Sequence, residues 1–135
     1  ELSPDILVQS EETPRSDRHH SILIAEDVYE NYFLLETLFS KQYQLYHALN
    51  GQEAIDMFET YHPDLILMDI KMPVMDGFEA TRRIRTLSKT IPIIALTAFA
   101  FEREKEIAKQ CEFTDYVVKP IDIKELKKLI AKVLA

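Results

Sequence analysis

Cysteine, glycine and long hydrophobic runs are all scarce in this chain of 135 residues. The single cysteine, Cys111, excludes an internal disulfide and fits a reducing compartment. No run of 18 apolar residues occurs, which argues against a membrane-spanning helix; with 47% hydrophobic residues, the composition is that of a soluble globular chain. Positive charge is in deficit too. Sixteen Lys and Arg face 23 Asp and Glu, a net charge of −7, so direct nucleic-acid binding through a phosphate-neutralising surface gains no support. There is no signal-peptide pattern and no internal repeat. The chain opens at Glu1 rather than methionine, which reads as a piece excised from a longer polypeptide.

What is present divides into two parts. Residues 1–20 hold two prolines, mixed charges and one short apolar patch, Ile6-Leu7-Val8, and read as a linker or disordered tail. His19-His20 has no third ligand nearby and reads as a solvated pair. From Ser21 to Ala135 one domain is expected, built from short apolar runs at 22–25, 43–48, 64–68, 91–96 and 116–118. Most are nearly uninterrupted, as in parallel strands buried on both faces. Helical stretches separate them. Asn50 with Glu53, Asp76 with Glu79, and Asp122 with Glu125 each set a capping side chain three residues before an acid, and Ile121 with Leu126 could staple the last. A first helix near 28–40 would turn Leu34, Leu35, Leu38 and Phe39 to the core, and a weakly held fourth would span about 101–111. Strict alternation of five strands and five helices implies a doubly wound α/β sheet.

Ligands of such sheets bind beyond the carboxyl ends of the strands. Glu26 and Asp27 follow the first strand, Asp69 ends the third, Thr97 the fourth, and Lys119 follows the fifth. Each alone has an ordinary explanation: a turn cap, a solvated helix start, a strand threonine, a surface lysine. Together they would converge. Three clustered carboxylates repel one another unless a cation intervenes. All-oxygen ligation suits Mg²⁺, which keeps waters and accepts a phosphate oxygen. A carboxylate can attack phosphorus, and an ammonium and a hydroxyl can stabilise phosphoryl oxygens.

The segments ILIAED (22–27), LILMDIKMPVMDG (65–77), PIIALTA (92–98) and DYVVKPI (115–121) resemble the receiver domain of two-component response regulators. The resemblance covers about 115 residues. It implies a flavodoxin-like fold of strand order 2-1-3-4-5, with Asp69 as the phosphoacceptor. Glu26, Asp27, Asp69 and the backbone carbonyl of Lys71 would hold Mg²⁺. Thr97 and Lys119 would contact the phosphoryl group, the Lys119–Pro120 bond would be cis, and Tyr116 would be the switch aromatic, turning inward as Thr97 moves. Phe99 and Lys71 would tune the lifetime of the aspartyl phosphate. The pairing of Glu26-Asp27 with Asn31, MDIKMPVMDG and ALTA looks most like a receiver fused to a hybrid sensor histidine kinase, at its C-terminus; a separate response regulator is the alternative. The phosphodonor would be a phosphohistidine on a kinase dimerisation domain or on a histidine phosphotransfer protein. A cytoplasmic monomer or weak dimer is expected, without membrane contact. The domain would assist its own phosphorylation and dephosphorylation only.

Two other readings fit less well. An aspartyl-phosphate phosphatase of the haloacid dehalogenase kind needs an acid two residues after the nucleophile, where this chain has Lys71. A flavodoxin-like cofactor binder needs a Gly/Ser/Thr-rich loop after the first strand, where this chain has Glu26-Asp27-Val28-Tyr29-Glu30. One departure from the receiver pattern is structural. The glycine usual after the fourth helix is replaced by Cys111-Glu112-Phe113, so that turn is either strained at a non-glycine residue or built differently.

Overall fold

The computed structural model describes residues 20–98, 106–107 and 109–135. Five strands, β1 (His20–Ala25), β2 (Tyr43–Ala48), β3 (Leu65–Asp69), β4 (Ile93–Thr97) and β5 (Asp115–Val118), form one parallel sheet in the order β2-β1-β3-β4-β5. β1 takes in His20, the last residue of the stretch expected as linker; the remainder of that stretch lies outside the described residues. Four helices have bounds among the described residues: α1 (Tyr29–Phe39), α2 (Gly51–Tyr61), α3 (Gly77–Leu87) and α4 (Ile123–Leu134). The further helix expected near 101–111 falls mostly outside the described residues. Its last turn is documented by bonds from Cys111 N–H to the Ile107 carbonyl and from Glu112 N–H to the Lys109 carbonyl, both 3.0 Å.

Side-chain alternation along the strands fills two core layers. Ile22, Ile24, Leu65, Leu67, Ile94 and Leu96 face one side, where Leu35 and Phe39 of α1 and Leu126 and Ile130 of α4 cover them. Leu23, Ala25, Ile66, Met68 and Ile93 face the other, against Ala54, Ile55 and Phe58 of α2 and Ala80 and Ile84 of α3. Full burial of each such Leu or Ile contributes about 1.5–3 kcal/mol. Along α1 the expected core face needs correcting. Leu35, Leu38 and Phe39 pack on the core as expected, but Leu34 is half exposed and Tyr32 takes a core position beside Leu35 and Phe39. The spacing 32, 35, 39 is the i, i+3, i+7 stripe that a helix packed on a sheet must present.

Three helix starts are capped as the sequence indicates: Asn50, Asp76 and Asp122 accept from the backbone N–H groups of Glu53, Glu79 and Glu125 at 2.8, 2.9 and 3.2 Å. α1 has no such side-chain cap at Val28. Instead Glu26 Oε2 accepts the Val28 N–H at 3.1 Å, tying the helix start to the strand end before it.

Neither glycine has a positive φ. Both allow close approach: a Cβ on Gly51 would lie 2.4 Å from the Met75 carbonyl oxygen, and one on Gly77 would lie 2.3 Å from that of Asp69. The left-handed positions fall to His62 (φ 49°), Val74 (φ 69°) and Glu112 (φ 65°). Of the two outcomes open for the Cys111-Glu112-Phe113 turn, the chain adopts the non-glycine left-handed one.

Candidate functional site

Parallel pairing places the carboxyl ends of the strands at one level. Asp69 pairs with Leu96 and Thr97 with Val118, and Lys119 N–H donates to the Thr97 carbonyl at 2.7 Å. Glu26 N–H donates to the Ala48 carbonyl at 3.0 Å, so the residue after β1 is held by the end of β2. Behind Asp69, Gly77 N–H donates to the Ile70 carbonyl at 2.8 Å, and its missing Cβ lets the start of α3 press on the Asp69 backbone.

These ends enclose a cleft of about 230 Å³ lined by Glu26, Asp27, Asp69, Lys71, Thr97 and Lys119 among others. Every expected residue of the acidic and phosphoryl-contacting set is therefore brought together. The carboxylate oxygens of Glu26, Asp27 and Asp69 lie within 4.8 Å of one another. Glu26 is 1% and Asp69 5% exposed, whereas Asp27 opens to solvent. Lys119 Nζ stands 3.2 Å from Asp69 Oδ2 and 3.5 Å from Glu26 Oε1. Lys71 N–H reaches Asp69 Oδ1 at 3.3 Å. Thr97 is nearly buried at the rim. The Lys119–Pro120 bond is cis. Tyr116 is 37% exposed on β5, away from the cleft lining. Phe99 lies outside the described residues.

Burial pushes the Glu26 carboxyl above the ordinary glutamate range, with the nearby Asp69 charge adding to the rise. The Val28 N–H and the Lys119 ammonium act in the opposite sense and do not offset it. Three carboxylates against the Lys119 ammonium make a concentrated negative site of oxygen donors with one solvent-facing edge. That is the donor chemistry of a hard divalent cation that retains part of its water shell.

Two contacts, one beside the cleft and one at the opposite end of the sheet, have no counterpart among the residues the sequence singles out. His47 Nε2 lies 2.7 Å from the Glu26 carbonyl oxygen, and its ring stacks on Tyr32. The only hint was a polar residue inside the apolar run 43–48. Arg85, 5% exposed, donates to the carbonyls of Glu112 (2.9 Å), Ser88 (3.3 Å) and Ile91 (2.7 Å), joining the end of α3 to the turns before β4 and β5.

Residues 22–131 match the family described as response regulator receiver domain. The chain belongs to that family. It is thus a receiver of two-component signal transduction, and the acidic cleft is where receivers carry their phosphoacceptor. The receiver is similar to sporulation initiation phosphotransferase F of Bacillus subtilis, with 34% identity over 117 residues, covering 86% of this chain and 94% of that protein. Of another curated relative, 38% identical, it spans only a quarter. Its structure is similar to the receiver domain of sensor histidine kinase PA1611 from Pseudomonas aeruginosa PAO1, which was solved with a magnesium ion coordinated in its active-site cleft (36% identity, TM-score 0.78, 85% of this chain and 97% of that one). It is also similar to a chain in the co-crystal structure of the Saccharomyces cerevisiae histidine phosphotransfer protein Ypd1 with the receiver domain of Ssk1 (31% identity, TM-score 0.78, covering 84% and 87%). Among the described residues, no helix is long and apolar enough to cross a membrane.

Proposed function

We propose that this receiver takes a phosphoryl group from a phosphohistidine onto Asp69, in a site completed by Mg²⁺. The observation that carries the reading is the position of Asp69: 5% exposed at the end of β3, with Lys119 Nζ at 3.2 Å and two further carboxylates beside it. A carboxylate oxygen of Asp69 forms the new O–P bond as the N–P bond of the donor breaks. The released imidazole nitrogen keeps the electron pair and takes up a proton. Glu26, Asp27 and Asp69, with the Lys71 carbonyl, would hold the cation, which supplies charge neutralisation at the phosphoryl oxygens when bound. Lys119 and the Thr97 hydroxyl stabilise the remaining oxygens. Reach to the donor comes from α1, whose Tyr29, Phe33 and Leu34 leave an apolar face exposed next to the cleft.

The added negative charge and acceptor oxygens are then read by Thr97 and Tyr116, which lie on the adjacent strands β4 and β5, Tyr116 pairing with Ala95 two residues before Thr97. Lys71 and Phe99 modulate how long the aspartyl phosphate survives. The parent protein we favour is a hybrid sensor histidine kinase, with residues 1–20 as the preceding linker; the support is the acidic pair with Asn31 and the MDIKMPVMDG segment. Beryllofluoride with Mg²⁺ tests the site. Wild type should show amide shift changes in NMR spectra at Asp69, Thr97 and Tyr116, and Asp69→Ala should show none. Equal responses from both proteins would refute the assignment.

A further inference from the structure

We propose that His47 is a positioning residue for the Glu26–Asp27 acidic pair, with Tyr32 holding its ring in plane. The inference rests on the Mg²⁺ site proposed above and adds to it how that site is kept in shape. A carbonyl oxygen has no proton to give, so at 2.7 Å from it His47 Nε2 is the donor, and the imidazole carries its proton there. On the other side of the same residue, Glu26 N–H donates to the Ala48 carbonyl at 3.0 Å. Both backbone polar groups of Glu26 are thus tied to two consecutive residues at the end of β2. The peptide plane between Glu26 and Asp27 loses its freedom to rotate, and the direction in which Asp27 leaves the strand is set with it.

The histidine is itself oriented. Its ring lies face to face with that of Tyr32, centroids 3.6 Å apart and planes 1° from parallel. Tyr32 is 7% exposed and anchored in the core layer beside Leu35 and Phe39 of α1. The chain of contacts therefore runs from α1 through two stacked rings to the backbone of a cation ligand. Groups that orient the ligands of a metal site affect affinity without touching the ion. His47 sits in this position although strand periodicity marks it as an ordinary edge-strand residue.

The test compares His47→Phe, which keeps a flat ring for the stack but removes the donor, with His47→Gln, whose amide can restore it. Mg²⁺ affinity is measured by calorimetric titration of the protein alone, together with thermal unfolding in EDTA. We expect H47F to weaken Mg²⁺ binding about tenfold, and H47Q to stay within about threefold of wild type. An H47F protein that binds Mg²⁺ like wild type overturns the proposal, even if its unfolding temperature falls. Should H47F fail to fold, histidine-edited ¹H–¹⁵N spectra of the wild type decide. A protonated Nε2 whose resonance shifts on Mg²⁺ addition supports the role; an Nδ1-protonated ring, or one blind to Mg²⁺, overturns it. A wild type that binds no Mg²⁺ would instead refute the underlying site.

Discussion

Burial at Glu26 works against the charge its role requires. The carboxyl is 1% exposed, and loss of solvation raises it above the ordinary glutamate value of 4.5. A carboxyl raised in the folded state favours folding while it is protonated. That contribution is present below about pH 4.5 and is lost as pH rises through the raised value. Without a divalent cation, Glu26→Gln should therefore unfold at a temperature close to that of wild type in acid. Above that range it should be more stable by on the order of a few degrees, read from thermal melts across pH. Adding Mg²⁺ should reverse the order, because the cation binds the ionised wild-type site and stabilises only the protein that holds it. At this scale the candidate site was legible: Glu26, Asp27, Asp69, Thr97 and Lys119 follow apolar runs, and the strand-end rule collects them. His47 was not, because its role depends on a backbone carbonyl across the sheet, and no side-chain pattern records that.

Scarcity of glycine shapes the elements and their turns. Pro73, Val74 and Met75 form a γ-turn, with Met75 N–H donating to the Pro73 carbonyl at 2.7 Å and Val74 at φ 69°. A β-branched residue in that conformation is strained, and Val74 is 82% exposed, so it gains little packing in return. Val74→Gly should raise stability by about 0.5–1 kcal/mol in urea unfolding, the relief of strain exceeding the added flexibility of the unfolded chain. The turn is kept in place by its docking on α2, where Gly51 N–H donates to the Met75 carbonyl at 2.9 Å. Arg85 performs a similar service at the opposite end of the sheet. Its guanidinium satisfies three carbonyls, one of them on left-handed Glu112. Arg85→Met keeps most of the volume but strands those acceptors, and should cost about 2 kcal/mol in the same measurement. The caps at Asn50, Asp76 and Asp122 were readable from three-residue spacing. The uncapped start of α1 and the burial of Tyr32 instead of Leu34 were not, since α1 is apolar on several faces and only the sheet decides which one turns inward.

At the scale of the whole molecule, alternation of apolar runs with capped helices was sufficient to specify a doubly wound parallel sheet. The strand order 2-1-3-4-5 followed from family resemblance and is the order observed. That topology brings the ends of β1, β3, β4 and β5 around one cleft and gathers five unremarkable strand-end residues into the proposed phosphoryl-acceptor site. The most direct measurement is to locate the phosphoryl group itself. The receiver is incubated with acetyl phosphate and Mg²⁺, reduced with borohydride, digested, and analysed by mass spectrometry. Mg²⁺-dependent modification is expected in the peptide containing Asp69, read as homoserine at that position and absent from Asp69→Ala. Modification at another residue, or none in the wild type with Mg²⁺ present, would contradict it.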